Sequence, residues 1–338
     1  MTGRARVALV LGSGGARGYA HIGVIHELID RDVDIVGVAG SSMGALVGGL
    51  YAAGVLGTFE RWATGLTQRD ILRLVDPSIT ASGGMLRAER VLAVVRDIIG
   101  DTRIEDLPIP FTAVATDLIH GRSIWYQRGP LDSAIRASIA IPGVITPHVI
   151  NGRLLADGGI LDPLPLGTVA SMDADLVIAV DVAAGSPVDR GNISATAAPR
   201  PVEEWIERFR RGTDNLLERE LVKAVRDRFR SADAAAAAAA VTGTPPPAAP
   251  LVAGPPLRLG QREVLNRALD LLQTALSRHR IAADPPDVLI EVPRTAARTI
   301  DFHRASELIA IGRERAAVKL DQSGYSALTR RNGTESSR

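Results

Sequence analysis

A serine that stands between two glycines has the residue type and the spacing of a catalytic nucleophile. Gly40-Ser41-Ser42-Met43-Gly44 has the spacing Gly-x-Ser-x-Gly, between an apolar run of strand character and a segment of helical character. In this setting the serine stands at a sharp turn at the carboxyl end of a sheet, and the glycines keep bulky side chains away from it. The motif predicts that Ser42 is a nucleophile, with a structural helix cap as the alternative.

A glycine-rich loop from Gly12 to Gly18 precedes this motif and directly follows the first apolar run. A dinucleotide site would need an acidic residue where Val38 and Ala39 stand, and a Walker phosphate loop would need a lysine, which is missing. An oxyanion hole needs only backbone N–H groups at a helix N-terminus. We therefore interpret the loop as an oxyanion hole. Arg17 either steadies the loop or a substrate head group, or lies solvated at the helix start.

The general base for Ser42 is harder to assign from the residues. None of the six histidines stands in a loop with a catalytic signature: His21, His26, His120, His148, His279 and His303. An α/β-hydrolase would place several strands before its nucleophile, whereas only two predicted strands precede Ser42. Asp157-Gly158-Gly159, after a predicted hairpin strand, is the better candidate, although Asp-Gly alone commonly marks a turn.

Four ordered motifs together resemble those of the patatin-like phospholipase family, specifically its bacterial members similar to the catalytic domain of neuropathy target esterase. They are Gly14–Gly18 with Ala20–Gly23 after it, Gly40–Gly44, Arg136–Pro142 and Asp157–Gly159, and the likeness resumes at Asp301–Ala305. Two positions depart from the family's pattern. Ser13 stands where many members have glycine, and Asp162 where relatives often carry asparagine.

The resemblance implies a catalytic dyad without histidine, in which Ser42 is the nucleophile and Asp157 the base. It implies an oxyanion hole formed by the backbone around Gly14, Gly15, Ala16 and Arg17. Supporting glycines flank both catalytic residues, namely Gly40, Gly44, Gly158 and Gly159.

The implied reaction is hydrolysis of fatty-acyl esters of phospholipids or lysophospholipids through an acyl-enzyme, as in a phospholipase A or lysophospholipase. A carboxyl group with a pKa near ~4 is a poor base for an alcohol, so we expect burial to raise the pKa of Asp157. No metal and no cofactor is expected. Two alternatives stay open: a serine-dependent acyltransferase, which needs a histidine partner, and a non-catalytic lipid-binding protein.

Composition narrows the function classes further. The 338 residues include no cysteine, which excludes a thiol nucleophile, a disulfide framework and a zinc ribbon. The formal charge of +1 gives no argument for a nucleic-acid partner. No signal peptide is visible. We expect a cytoplasmic protein whose partner is a lipid ester substrate; peripheral contact with the inner face of the membrane stays open, and the sequence does not give the oligomeric state.

The elements that position these groups follow from the hydrophobic pattern. Strands at Arg6–Leu11 and Asp34–Ala39 alternate with helices at Tyr19–Asp30 and Ala45–Ala53, which predicts a parallel sheet covered by helices on both faces. Asn151-Gly152 predicts a tight hairpin. The expected fold class is α/β, a three-layer α/β/α patatin-like fold with a mainly parallel central sheet.

The uncharged stretch from Ile35 to Phe59 is long enough to cross a bilayer. It is rich in glycine and contains the Ser42 motif, so we interpret it as a buried strand–turn–helix and expect no transmembrane segment.

We expect a single catalytic domain over residues 1–320, interrupted at about 186–260, with a disordered tail at 321–338. The interruption is a flexible insertion, because it contains the alanine run Ala234–Ala240 and a proline cluster. Its charged segment Val202–Arg230 is expected to be a core or covering helix, with a lid or membrane-docking role as the alternative.

Overall fold

The computed structural model of the chain describes residues 4–67, 69–70, 89–142, 145–185 and 261–324. The insertion predicted at about 186–260, its segment Val202–Arg230 and the tail beyond residue 324 lie outside the described residues. The strands are β1 (Arg6–Leu11), β2 (Asp34–Ser41), β3 (Phe111–Asp117), β4 (Arg122–Tyr126), β5 (His148–Ile150), β6 (Arg153–Asp157), β7 (Leu176–Ala184) and β8 (Val288–Pro293). The α-helices of the described ranges are α1 (Ala20–Asp30), α2 (Met43–Ala52), α3 (Leu56–Thr64), α4 (Glu89–Ile99), α5 (Leu131–Ser138), α6 (Gln261–Ala283) and α7 (Ala305–Gln322).

The strands form one eight-stranded sheet. Five of them run parallel in the order β3–β2–β1–β7–β8. The other three add antiparallel pairings at the β3 end, where β4 and β6 pair with β3 and β5 pairs with β6. The mainly parallel α/β sheet predicted from the sequence is confirmed.

Both faces of this sheet are buried. On β1, Val7, Leu9 and Leu11 join the large core that contains side chains of α1, α2 and α7. The alternate residues Ala8 and Val10 belong to a smaller cluster on the opposite face, with Leu164, Leu166 and Val169 and with Ile281 of α6 packed against it. Successive side chains of a strand point to opposite faces, so apolar residues at every position require a layer on each side. The structure thus has the expected three layers.

The pairing along β3 determines where two chain segments meet. Ser41, the last residue of β2, pairs with Val114, and Asp157, the last residue of β6, pairs with Ala115. Because β4 occupies the other edge of β3, β2 and β6 lie along the same edge. One runs parallel and the other antiparallel to β3, so their carboxyl ends face each other.

The structure agrees with the predictions for the hairpin and for the uncharged stretch, and it contains one helix that the sequence did not predict. Asn151 and Gly152 have φ values of 50° and 75°, as the two-residue hairpin between β5 and β6 requires. The stretch from Ile35 to Phe59 is divided among β2, α2 and α3. Among the described residues, no helix combines the length and apolar character needed to cross a membrane. Sequence reasoning missed α5, although it quoted the motif that ends it.

Candidate active site

Ser42 alone connects β2 to α2, and it carries the strain of the turn. Its φ of 56° and ψ of −123° are unusual for a residue with a side chain, and such backbone costs of order 1–3 kcal/mol. The Ser42 N–H donates to Oγ of Ser138 at 2.9 Å, and the Ser138 hydroxyl donates to the carbonyl of Val114 at 2.6 Å. A side chain at the end of α5 therefore holds the strained turn.

The Ser42 hydroxyl points at a carboxylate. Its Oγ donates to Oδ2 of Asp157 at 2.5 Å, and both residues are only 2% exposed. Oδ1 of Asp157 accepts the N–H of Gly159 at 2.7 Å. The Asp157 backbone is fixed as well, because its N–H donates to Ala140 and its carbonyl accepts the hydroxyl of Thr116, both at 2.9 Å. The carboxylate is thus held in one orientation toward the serine.

Burial changes the acidity of Asp157. Removal from water disfavours the charged form and raises its pKa to about 7, against the lowering effect of the hydrogen bonds from Ser42 and Gly159. The direction is the one expected from the sequence. A carboxylate with a pKa near neutrality is matched to proton transfer at physiological pH.

The four supporting glycines are required by close packing, against backbone at Gly40, Gly44 and Gly158 and against side chains at Gly159. A Cβ on Gly40 would meet the carbonyl of Gly44, and one on Gly44 would meet the carbonyls of Leu11 and Gly12. On Gly158 and Gly159 it would meet the Val114 carbonyl and the Ser13 side chain. For Gly40 and Gly44 the motif predicts a sharp chain reversal with no bulky side chain near the serine. In the structure the positive φ belongs to Ser42 instead.

The glycine loop lies beside the start of α2, since a Cβ on Gly18 would meet Met43, the residue after Ser42. The Ala16 N–H donates to the carbonyl of Thr299 at 2.9 Å, so it is not free to bind an oxyanion in this conformation. Within the described residues, the N–H groups of Gly14 and Gly15 have no acceptor. The Gly14 and Gly15 N–H groups are thus available to an oxyanion and that of Ala16 is not. The oxyanion hole itself, expected from the backbone around Gly14, Gly15, Ala16 and Arg17, stays a prediction.

Arg17 is buried at 3% exposure, and its interpretation as a solvated helix-start residue is wrong. Its Nη1 donates to the carbonyl of Ala297 at 3.3 Å, and its Nη2 lies 3.8 Å from Oδ1 of Asp270 on α6. Burial lowers the pKa of the guanidinium, while Asp270 raises it. Arg17 thus ties the glycine loop to two later segments of the chain, in agreement with a role in steadying the loop.

The histidines have other partners. His21 is fully buried, and its Nε2 lies 2.8 Å from the Gly12 carbonyl. Burial lowers the pKa of His21 to about 4, so the ring is neutral and Nε2 donates to Gly12. Side-chain partners of three others are Glu60 for His26, Asp117 for His120 and Ser133 for His148. The group that the structure brings to Ser42 is the carboxylate of Asp157.

Asp162, one of the two departures from the family pattern, fixes the turn after Asp157. Its N–H donates to the Gly158 carbonyl at 2.9 Å, and its Oδ1 lies 3.2 Å from Nε of Arg280 on α6. Burial raises the pKa of Asp162 to about 6.

Ser138 is the site residue whose role sequence reasoning missed. It lies within the quoted motif Arg136–Pro142, and it is fully buried. A small polar residue among apolar neighbours was the only available signal, because its partners Ser42 and Val114 are distant in sequence.

The segment that matches a known protein family contains both Ser42 and Asp157. The family model described as patatin-like phospholipase matches residues 9–170. An uncharacterised NTE family protein of Mycobacterium tuberculosis is 53% identical over 334 residues, 94% of this chain and 91% of that protein. Lysophospholipase NTE1 of Mycosarcoma maydis is 38% identical over 183 residues, 52% of this chain and 10% of that protein. The solved structure of VipD from Legionella pneumophila matches with a TM-score of 0.44 and 16% identity, covering 95% of this chain and 67% of that one.

Proposed function

The chain belongs to the patatin-like phospholipase family, and from this premise we propose that it is a lipid acyl hydrolase with Ser42 and Asp157 as its catalytic residues. The observation that carries the proposal is the 2.5 Å hydrogen bond from Ser42 Oγ to Asp157 Oδ2. It lies at a strained turn between a strand and a helix, the position at which a serine nucleophile is presented.

In the first half of the reaction, Oδ2 of Asp157 takes the hydroxyl proton while Oγ of Ser42 attacks the ester carbonyl. The N–H groups of Gly14 and Gly15 donate to the oxyanion, each worth roughly 3 kcal/mol in the transition state. When the tetrahedral intermediate collapses, the bond to the alcohol breaks and Asp157 returns its proton to the departing oxygen. The fatty acyl group is then esterified to Ser42.

In the second half, a water molecule replaces the alcohol. Asp157 removes a proton from this water as its oxygen attacks the acyl carbonyl. Collapse breaks the bond to Oγ, the proton on Asp157 returns to Ser42, and a free fatty acid leaves. One carboxylate serves both halves, which agrees with its raised pKa of about 7.

The proposed substrates are fatty-acyl esters of lysophospholipids and phospholipids. Support comes from the relative named lysophospholipase, which is 38% identical over 183 residues. An acyltransferase that depends on histidine has no support from the site, because the hydrogen-bond partner of Ser42 Oγ is a carboxylate.

The decisive experiment exposes the purified 338-residue chain to a lysophospholipid panel and measures fatty acid release, with fluorophosphonate labelling in parallel. Ser42→Ala should lose both hydrolysis and labelling. Ser41→Ala is the matched control, because this neighbouring hydroxyl is buried and has no hydrogen-bond partner among the described residues. Labelling that persists in Ser42→Ala would reject the nucleophile. Labelling of Ser42 with acyl transfer to an added alcohol and no fatty acid release would favour an acyltransferase.

A further inference from the structure

The middle of helix α6 departs from the usual rule for a surface helix, although Ile281 near its end packs against the core. Thr274 and Ser277 are buried, at 5% and 2% exposure, while Leu271 and Leu272 are exposed at 47% and 59%. A helix that lies against a core in water normally turns its apolar stripe inward and its polar face outward. The outward leucines of α6 therefore fit a neighbour other than water.

The inward polar face of α6 has partners in the candidate active site. Asp270 lies 3.1 Å from Nη2 of Arg294 and 3.8 Å from Nη2 of Arg17 in the glycine loop. The side-chain amide of Gln273 lies against Gly159, whose N–H donates to Asp157. These contacts explain why polar residues face inward, and among the described residues no core cluster includes the exposed Leu271 and Leu272.

The outward surface of α6 is cationic as well as apolar. The acidic residues of α6 are Glu263 in its first turn and Asp270, which faces inward, and Asp284 directly follows its last residue. Arg267, Arg278 and His279 are exposed on either side of the leucines. Exposed leucines flanked by basic residues are typical of a helix that lies in the interface of a membrane with anionic lipids.

We propose that the outer surface of α6, formed by Leu271 and Leu272 with Arg267, Arg278 and His279, docks on an anionic phospholipid bilayer. The inference rests on the proposed function, because a lipid hydrolase must bring its site to an aggregated substrate. The thickness of one helix, roughly 10–12 Å, separates this surface from Gly159 and the carboxylate beside it. Docking through α6 thus places Asp157 close to the source of the ester.

The first test uses the absence of cysteine from the chain. Leu272→Cys carries an environment-sensitive NBD fluorophore, and Val318→Cys on α7, which is 48% exposed, is the matched control. On addition of phosphatidylcholine vesicles containing phosphatidylglycerol, the Leu272 probe should shift to the blue and brighten severalfold, while the Val318 probe stays unchanged. Equal responses at both positions, or none at Leu272, would overturn the proposal.

The second test separates docking from catalysis. Leu271→Gln combined with Leu272→Gln should bind the same vesicles roughly 100-fold more weakly than the parent chain. The matched control combines Ile29→Gln and Val318→Gln, both about half-exposed on other helices. Hydrolysis of a soluble short-chain ester should be equal in all three proteins, and hydrolysis of vesicle-bound lysophospholipid should fall only in the α6 variant.

The outcomes distinguish the two proposals. If the parent chain hydrolyses no ester but binds vesicles, and the variant with Leu271→Gln and Leu272→Gln loses that binding, docking is supported and the proposed function is rejected. Unchanged vesicle binding with normal ester hydrolysis would reject docking alone. A change in oligomeric state or in unfolding temperature without a change in vesicle binding would show that protein covers these leucines, and it would reject the lipid surface.

Discussion

Ser42 and Asp157 are separated by 115 positions in the chain, and yet Oγ of the serine lies 2.5 Å from Oδ2 of the aspartate. The distance follows from the register of β3, which places the last residues of β2 and β6 on adjacent pairs, Ser41 with Val114 and Asp157 with Ala115. The contact is therefore a property of the sheet, and its chemistry depends on the ionisation of the carboxylate.

The pH dependence of turnover tests the ionisation of Asp157. As a base it must be deprotonated, so kcat/KM should rise with pH through an inflection near 7, the raised pKa of this carboxyl group. Asp157→Asn should bind substrate normally and turn over at least about 100-fold more slowly. Rates across pH 5 to 9 provide the check, and near-normal turnover by the asparagine variant would assign the base to another group.

The same carboxylate should make stability depend on pH. The pKa of Asp157 is about 7 in the folded chain against 3.8 for the ordinary group, so the folded state binds the proton more tightly. Its contribution to stability is complete below pH 3.8 and is lost as pH rises through 7, a difference of about 4 kcal/mol. Asp157→Asn should thus raise the free energy of unfolding more at pH 8 than at pH 5, measured by urea denaturation. An equal effect at both pH values would contradict this assignment.

Ser138 should act by holding the backbone of Ser42. Ser138→Ala removes the acceptor of the Ser42 N–H and a donor to the Val114 carbonyl, which should cost about 1–3 kcal/mol of stability. The displaced nucleophile should lower kcat roughly 10- to 100-fold with little change in KM. Ser133→Ala, at the other end of α5, is the control. Equal kcat values for the two variants would remove the positioning role.

Gly44 should tolerate no side chain. A Cβ there would collide with the carbonyls of Leu11 and Gly12, and backbone cannot move aside without disturbing β1. Gly44→Ala should therefore cost about 3 kcal/mol or more. Gly57→Ala on the exposed start of α3 meets only Arg61 Nη1 at 3.7 Å, and it should be neutral or stabilising by up to about 1 kcal/mol. Chemical denaturation of both proteins compares them directly.

Histidines outside the core should be dispensable for catalysis. Replacing all five of them by glutamine should leave kcat/KM nearly unchanged, because the partners found for three of these rings are not Ser42 or Asp157. The positions are His26, His120, His148, His279 and His303. His21 is kept because it is buried and donates to the Gly12 carbonyl. Hydrolysis of a soluble ester is the measurement, and a large loss would revive the histidine-dependent acyltransferase.

Much of the fold and the turn that carries Ser42 could be predicted from the sequence, because both depend on local patterns. Apolar runs of strand length alternating with helical segments predict a parallel sheet, and Asn151-Gly152 predicts the hairpin that follows. Gly40 to Gly44 places Ser42 at a strand–helix turn. The structure reduces that turn to one residue, with φ of 56° at the serine itself.

Other site features depend on contacts between distant segments. The Thr299 carbonyl accepts the hydrogen bond of the Ala16 N–H, and the Ser138 hydroxyl accepts that of the Ser42 N–H. Asp270 on α6 lies near the buried Arg17. None of these partners is marked by spacing in the sequence, because a hydrogen bond across 283 or 96 residues leaves no local pattern.

The sequence by itself determined the α/β fold class, the serine turn and, through family resemblance, the choice of Asp157. Only the tertiary structure decided the proton affinity of that aspartate and the outward direction of Leu271 and Leu272. A pKa depends on how much water is removed from the carboxylate, and a helix face depends on which neighbours occupy its other side. Both quantities exist only once remote segments have packed together.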